Sequence, residues 1–134
     1  MDNSIVLTGT GTIVSSTTNG TPNFIPMTQW VGGADVVKVR ATLEMRGNSA
    51  ACQINGAYQT SNDKISVNSP QSILSSPTYL TTEGFQYPSQ FNDISTATAQ
   101  ARYVRFGIMA QPSSGATGAV QGCWASITVE IQGT

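Results

Sequence analysis

Arg102 and Arg105 are two of only four arginines in the chain, and they stand three residues apart in the stretch Ala101–Ala110, ARYVRFGIMA. A guanidinium beside a tyrosine suits three kinds of ligand: a sugar ring, a phosphate or another protein. Side chains alternate along a strand, so an odd separation sends the two arginines to opposite faces. Val104, Phe106 and Ile108 then form a core row. Tyr103 and Arg105 share the outer row with Gly107 and Met109.

Few other side chains offer chemistry. Histidine is absent, which removes the commonest general base and metal ligand. The seven carboxylates, Asp2, Asp35, Glu44, Asp63, Glu83, Asp93 and Glu130, are scattered, so an acid/base pair would have to be assembled by folding. No G-x-S-x-G elbow occurs, and the GTGT at Gly9 lacks the Lys-Ser/Thr of a phosphate loop. Asn62-Asp63 and Asn92-Asp93 could offer oxygens to calcium, but without D-x-D-x-D spacing they read better as loop caps. Cys52 and Cys123 form no four-ligand zinc site without histidine; two buried thiols or one disulfide remain open. The expectation is no enzyme, no catalytic residue, no cofactor and no metal.

Composition narrows the class further. Charged residues make up 10% of 134, and net charge is −1. Ser, Thr, Asn and Gln replace them, supplying more than a third of the chain. With 39% hydrophobic residues this is not a disordered composition. No net field attracts nucleic acid or an anionic membrane, so neither is expected as a partner. The start, MDNSIVLTGTG, has none of the basic and apolar regions of a signal peptide, so synthesis in the cytoplasm is expected. Asn19-Gly20-Thr21 reads as a turn rather than a glycosylation site.

The elements that position these residues are strands. VVKVRATLEMR alternates strictly, with Val37, Val39, Ala41, Leu43 and Met45 inward and Lys38, Arg40, Thr42, Glu44 and Arg46 outward. CWASITVEI turns Cys123, Ala125, Ile127, Val129 and Ile131 inward, leaving Trp124, Ser126, Thr128 and Glu130 outside. Ser4–Thr18 gives one or two strands broken at Gly9 and Gly11. Thr21–Asp35, with Pro22 and Pro26, reads as a loop across the edge of the core. AACQINGAYQT is a strand with a bulge at Asn55-Gly56, and Lys64–Asn68 is a short strand. Gln71–Ser95 is irregular, with one strand near Thr78–Thr82 and an aromatic loop after it. Thr96–Gln100 is a strand entry or a helical turn, and Gln111–Gly122 is a connection. No window has a helical period. The whole reads as one all-β domain over 1–134, an antiparallel jelly-roll-like sandwich of six to eight strands with long Pro/Gly-rich loops.

Two surfaces stand out as partner contacts. One is the outer row Arg40, Glu44 and Arg46. The other is Tyr103, Arg105 and Trp124, three residue types enriched where binding energy concentrates. These form one patch if their strands are neighbours. The segment Asp2–Leu7 is a third candidate.

The stretch ARYVRFGIMA followed by CWASITVEI resembles the closing strands of discoidin-like carbohydrate-binding domains, where A-R-Y-[IV]-R is common. The chain lacks the tryptophan-rich first half of that family. That resemblance implies loops at one end of the sandwich binding sugar. As a whole, a small histidine-free sandwich rich in Ser, Thr, Asn and Gln is similar to the decoration or cement proteins of tailed-bacteriophage capsids. This implies a dimer or trimer that clamps major capsid subunits or other virion proteins, hence a location in the virion. The expected function is therefore a capsid cement or decoration protein, with a carbohydrate-binding module (lectin or phage fibre component) or a tail or baseplate component as alternatives.

Overall fold

The computed structural model describes residues 4–15, 22–33, 36, 38–46, 52–73, 79–81, 84–86, 91–94, 101–112 and 120–133. Ten strands follow in chain order: β1 (Ser4–Ser15), β2 (Asn23–Pro26), β3 (Val31–Gly32), β4 (Lys38–Arg46), β5 (Cys52–Ser61), β6 (Gln71–Ser72), β7 (Gly84–Gln86), β8 (Asn92–Asp93), β9 (Tyr103–Pro112) and β10 (Val120–Gln132).

They form two antiparallel sheets. One runs β1-β10-β4-β7, with β8 also on β4; the other runs β2-β9-β5-β6, with β3 also on β9. With β3 and β8 set aside, the orders β1-β10-β4-β7 and β2-β9-β5-β6 are those of the double Greek key of a jelly roll, with β5 and β6 consecutive in one sheet. The expected sandwich is present.

Alternation explains the core. Val39, Leu43 and Met45 of β4 and Ala125, Ile127, Val129 and Ile131 of β10 face Cys52 and Ile54 of β5 and Val104, Phe106, Ile108 and Ala110 of β9, all buried. In β4 and β10 the inner row alternates with a largely polar outer row, whereas β5 is buried on both faces, Asn55, Ala57, Gln59 and Ser61 included.

Several expected boundaries move. β1 does not break at its glycines. It pairs with β10 from Ser4↔Gln132 to Ile13↔Cys123, with a register shift between Ile13 and Ser15. Gly9 is there because Met27 lies against it: a Cβ would sit 2.1 Å from the Met27 carbonyl oxygen. The supposed loop Thr21–Asp35 contains β2 and β3, both edge pieces of β9. Pro26 is tolerated there because an edge strand leaves N–H groups outside the ladder.

Asn55-Gly56 makes no bulge, since β5 stays in register with β9 from Cys52↔Pro112 to Ser61↔Tyr103. Lys64–Asn68 is a loop with one isolated bridge, Ser61↔Val67. Leu80 makes an isolated bridge to Ile54, while Thr78, Thr82 and Thr96–Gln100 lie outside the described residues. A strand expected in neither place, β7, pairs with β4. Cys52 is buried, and the side chain of Cys123 lies outside the described residues.

Candidate partner-binding faces

The outer face of the β1-β10-β4 sheet is set by register. Trp124 stands opposite Arg46, Ser126 opposite Glu44, Thr128 opposite Thr42, and Glu130 opposite Arg40. On the far side of β10, Thr10, Thr8 and Val6 continue the Ser126, Thr128 and Glu130 rungs. A hydroxyl-rich middle therefore separates two charged ends.

At one end, Arg40 pairs with Glu130 through its Nε. Its guanidinium carbon lies 4.5 Å from the centre of the Phe91 ring, just before β8. At the other end, Arg46 Nε lies 3.0 Å from Glu44 Oε1, and its Cζ lies 5.5 Å from the Trp124 ring centre. Glu44 is 5% exposed although it belongs to the outer row. The Arg46 side chain is 69% exposed, so the pair couples a buried carboxylate to a solvated cation. Breaking such a pair is costly, because without Arg46 the Glu44 carboxylate would be buried and uncompensated. The intact pair leaves charge and an indole available to a partner.

The opposite face of the sandwich holds Tyr103 and Arg105, because β9 and β10 belong to different sheets. Tyr103, Arg105 and Trp124 thus do not form one patch. Alternation along a strand says nothing about which sheet that strand joins.

Arg105 is engaged within its own chain. Its Nε and Nη2 donate to Gln59 Oε1 at 3.0 and 2.7 Å. Trp30 lies 4.5 Å and Phe24 6.0 Å from the guanidinium, each measured to the ring centre. Burial against these rings lowers the Arg105 pKa below its ordinary value. Tyr103 in turn carries Lys64 over its ring at 4.5 Å.

Sequence spacing gave no sign of Trp30, Phe24, Gln59 or Phe91 in these clusters. Each meets its arginine through a long-range pairing. Ser4 and Ile5 contribute register alone, and Asp2 and Asn3 lie outside the described residues.

Asp63 is a loop cap. Its Oδ1 accepts from the amides of Ile65 and Ser66 at 2.8 and 2.7 Å and from Ser61 Oγ at 3.2 Å. These bonds, the two backbone amides first, hold its pKa below 3.8. Lys64 sits at φ 65°, and Ile65 is 86% exposed at the tip. Among the described residues no group of His, Cys, Asp or Glu could hold a metal.

No family model matches the chain, and no curated protein sequence matches it. Solved structures do. The VP2 protein of infectious bursal disease virus, in derived T=1 particles, superposes with a TM-score of 0.58 at 18% identity, over 98% of this chain and 32% of that one. The VP2 subviral particle of the same virus gives 0.55 at 15% identity, over 98% and 34%. The T13 viral particle gives 0.57 at 18%, over 98% and 32%. What is shared is the fold. The chain spans about a third of the length of these particle proteins.

Proposed function

We propose that the protein is a non-enzymatic structural component of a virion, a capsid cement or decoration protein that bridges major capsid subunits. The observation that carries this reading is the jelly-roll connectivity, matched over 98% of the chain to a protein of icosahedral virus particles. The outer face of the β1-β10-β4 sheet is the proposed contact. Arg46, Trp124 and Arg40 stand there on rigid strands, and low overall charge leaves few ions to desolvate.

The mechanism is thermodynamic. A protein that binds only the assembled shell stabilises that shell by mass action, by about 2.7 kcal/mol per site at roughly 100-fold excess over Kd. The test is sedimentation of the native lysate. Stoichiometric migration with megadalton particles is the expected result; migration at the mass of one to three subunits would overturn the reading.

A further inference from the structure

The inner row of β5 changes character along its length. Cys52 and Ile54 are apolar, but Tyr58 and Thr60 follow at the same alternation, and Asn62 continues beyond the strand. At this end the core gives way to a cleft of about 460 Å³, lined by Tyr58, Thr60, Asn62, Asn68, Ser69 and Gln71, with Ala101 beside them. The volume lies in the range of small-molecule sites.

Its walls are fixed in advance. Asn68 donates its amide N–H to the Thr60 carbonyl at 2.9 Å and its Nδ2 to Thr60 Oγ1 at 2.9 Å. Gln59 Nε2 donates to the Asn68 carbonyl at 3.1 Å, and Asn62 Oδ1 accepts from the Arg102 amide at 3.0 Å. Gln71 stands opposite Tyr58 in the β5–β6 register.

What remains unengaged is a mixed set. The Tyr58 hydroxyl, Asn62 Nδ2, Asn68 Oδ1, the Ser69 hydroxyl and the Gln71 side-chain amide make no hydrogen bond among the described residues. Tyr58 is 7% exposed, and no buried side-chain polar atom among the described residues lacks a hydrogen-bond partner, so its unbonded hydroxyl opens onto the cleft, where water or a ligand meets it. Burial raises its pKa above 10.0, which keeps it a neutral donor at physiological pH.

The lining selects against most ligand classes. Among the described residues no charged side chain lines the cleft, so an anion or cation would find no countercharge there. An apolar ligand would strip water from the amides and hydroxyls without replacing it. A neutral ring whose hydroxyls both donate and accept satisfies the set.

We propose that this cleft binds one neutral pyranose unit, a hexose or N-acetylhexosamine, with the Tyr58 hydroxyl and the Gln71 amide as its central contacts. The site is separate from the sheet face proposed for virion contact and stands or falls independently of it.

The test is a titration of the isotope-labelled full chain with methyl glycosides of glucose, galactose and N-acetylglucosamine, followed by amide NMR. Phosphate and acetate serve as charged comparisons. Saturable shifts at Ser69, Gln71 and Ala101, weakened about fivefold to tenfold by Tyr58→Phe and by Gln71→Ala, are expected. Gln71 is exposed, so its variant reports even if Tyr58→Phe disturbs folding. The absence of saturable shifts with every sugar, an affinity unchanged in Gln71→Ala, or tighter binding of phosphate or acetate would each overturn the assignment.

Discussion

Gln59 and Arg105 face each other across the β5–β9 pair, and a single amide oxygen accepts two hydrogen bonds from the guanidinium. Gln59 is 6% exposed, and its Nε2 also anchors Asn68. One amide therefore holds an arginine on one side and a loop on the other.

That arrangement sets a stability difference between two conservative changes. Arg105→Lys removes the fork and leaves Gln59 Oε1 with one donor at best, so a loss of about 1–2 kcal/mol in urea unfolding is expected. Arg102→Lys, on an exposed side chain, should stay within about 0.5 kcal/mol of the parent. Equal effects from the two would contradict the pairing. Trp30 emission should shift only in the first variant.

Asp63 gives a pH dependence with a definite sign. Its folded pKa is depressed, so its contribution is present above the ordinary carboxylate value of 3.8 and fades as pH falls through the lower folded value. The thermal midpoint of the parent should exceed that of Asp63→Ala at neutral pH, and the gap should close in strong acid. A gap independent of pH would assign the loop to other contacts. Amide exchange at Ile65 and Ser66 should quicken in the variant at neutral pH, because both lose their acceptor.

Two glycines in β1, two residues apart, should respond very differently to a methyl group. At Gly9 the new Cβ meets backbone of Met27 at 2.1 Å, which cannot yield without moving the segment that follows β2. At Gly11 the nearest atom is the Met27 Cε at 3.6 Å, an ordinary contact. Gly9→Ala is expected to destabilise by about 1–3 kcal/mol or more, and Gly11→Ala by well under that. Chemical denaturation of the two single variants decides it.

On the virion reading, Arg46→Ala combined with Trp124→Ala should lower co-sedimentation with particles, measured below the variant's melting temperature, which is expected to fall because the buried Glu44 loses its ion-pair partner. Unchanged particle association in that folded double variant would remove this end of the sheet as the contact.

The strands β4, β9 and the second half of β10 were legible because strict alternation maps directly onto burial. Val39, Leu43 and Met45 are buried while Lys38 and Arg46 are exposed. β2 and β3 were hidden because their prolines and glycines mark turns locally, whereas pairing with β9 is decided far away in sequence. Ile65 and Val67 misled in the other direction: their β-branched alternation suggests a strand, yet they sit in a capped loop at 86% and 45% exposure. The charged clusters followed the same division. Arg40, Glu44 and Arg46 were placed on one outer row by spacing alone. Their partners Glu130, Phe91 and Trp124 arrive from distant segments, and only the sheet order brings them there.

The central position of β10 has a consequence for how this fold can be reached. β1 and β4 do not pair with each other; β10 lies between them, with Ser4 meeting Gln132 and Arg40 meeting Glu130. Nearly the whole chain must therefore be brought into one loop closure before β1 can join that sheet. Such non-local topology places folding on a scale of roughly milliseconds to seconds, slow beside helical domains of similar size. Until β10 docks, β1 offers a twelve-residue strand with both edges open, and that interval is when pairing between chains competes with folding.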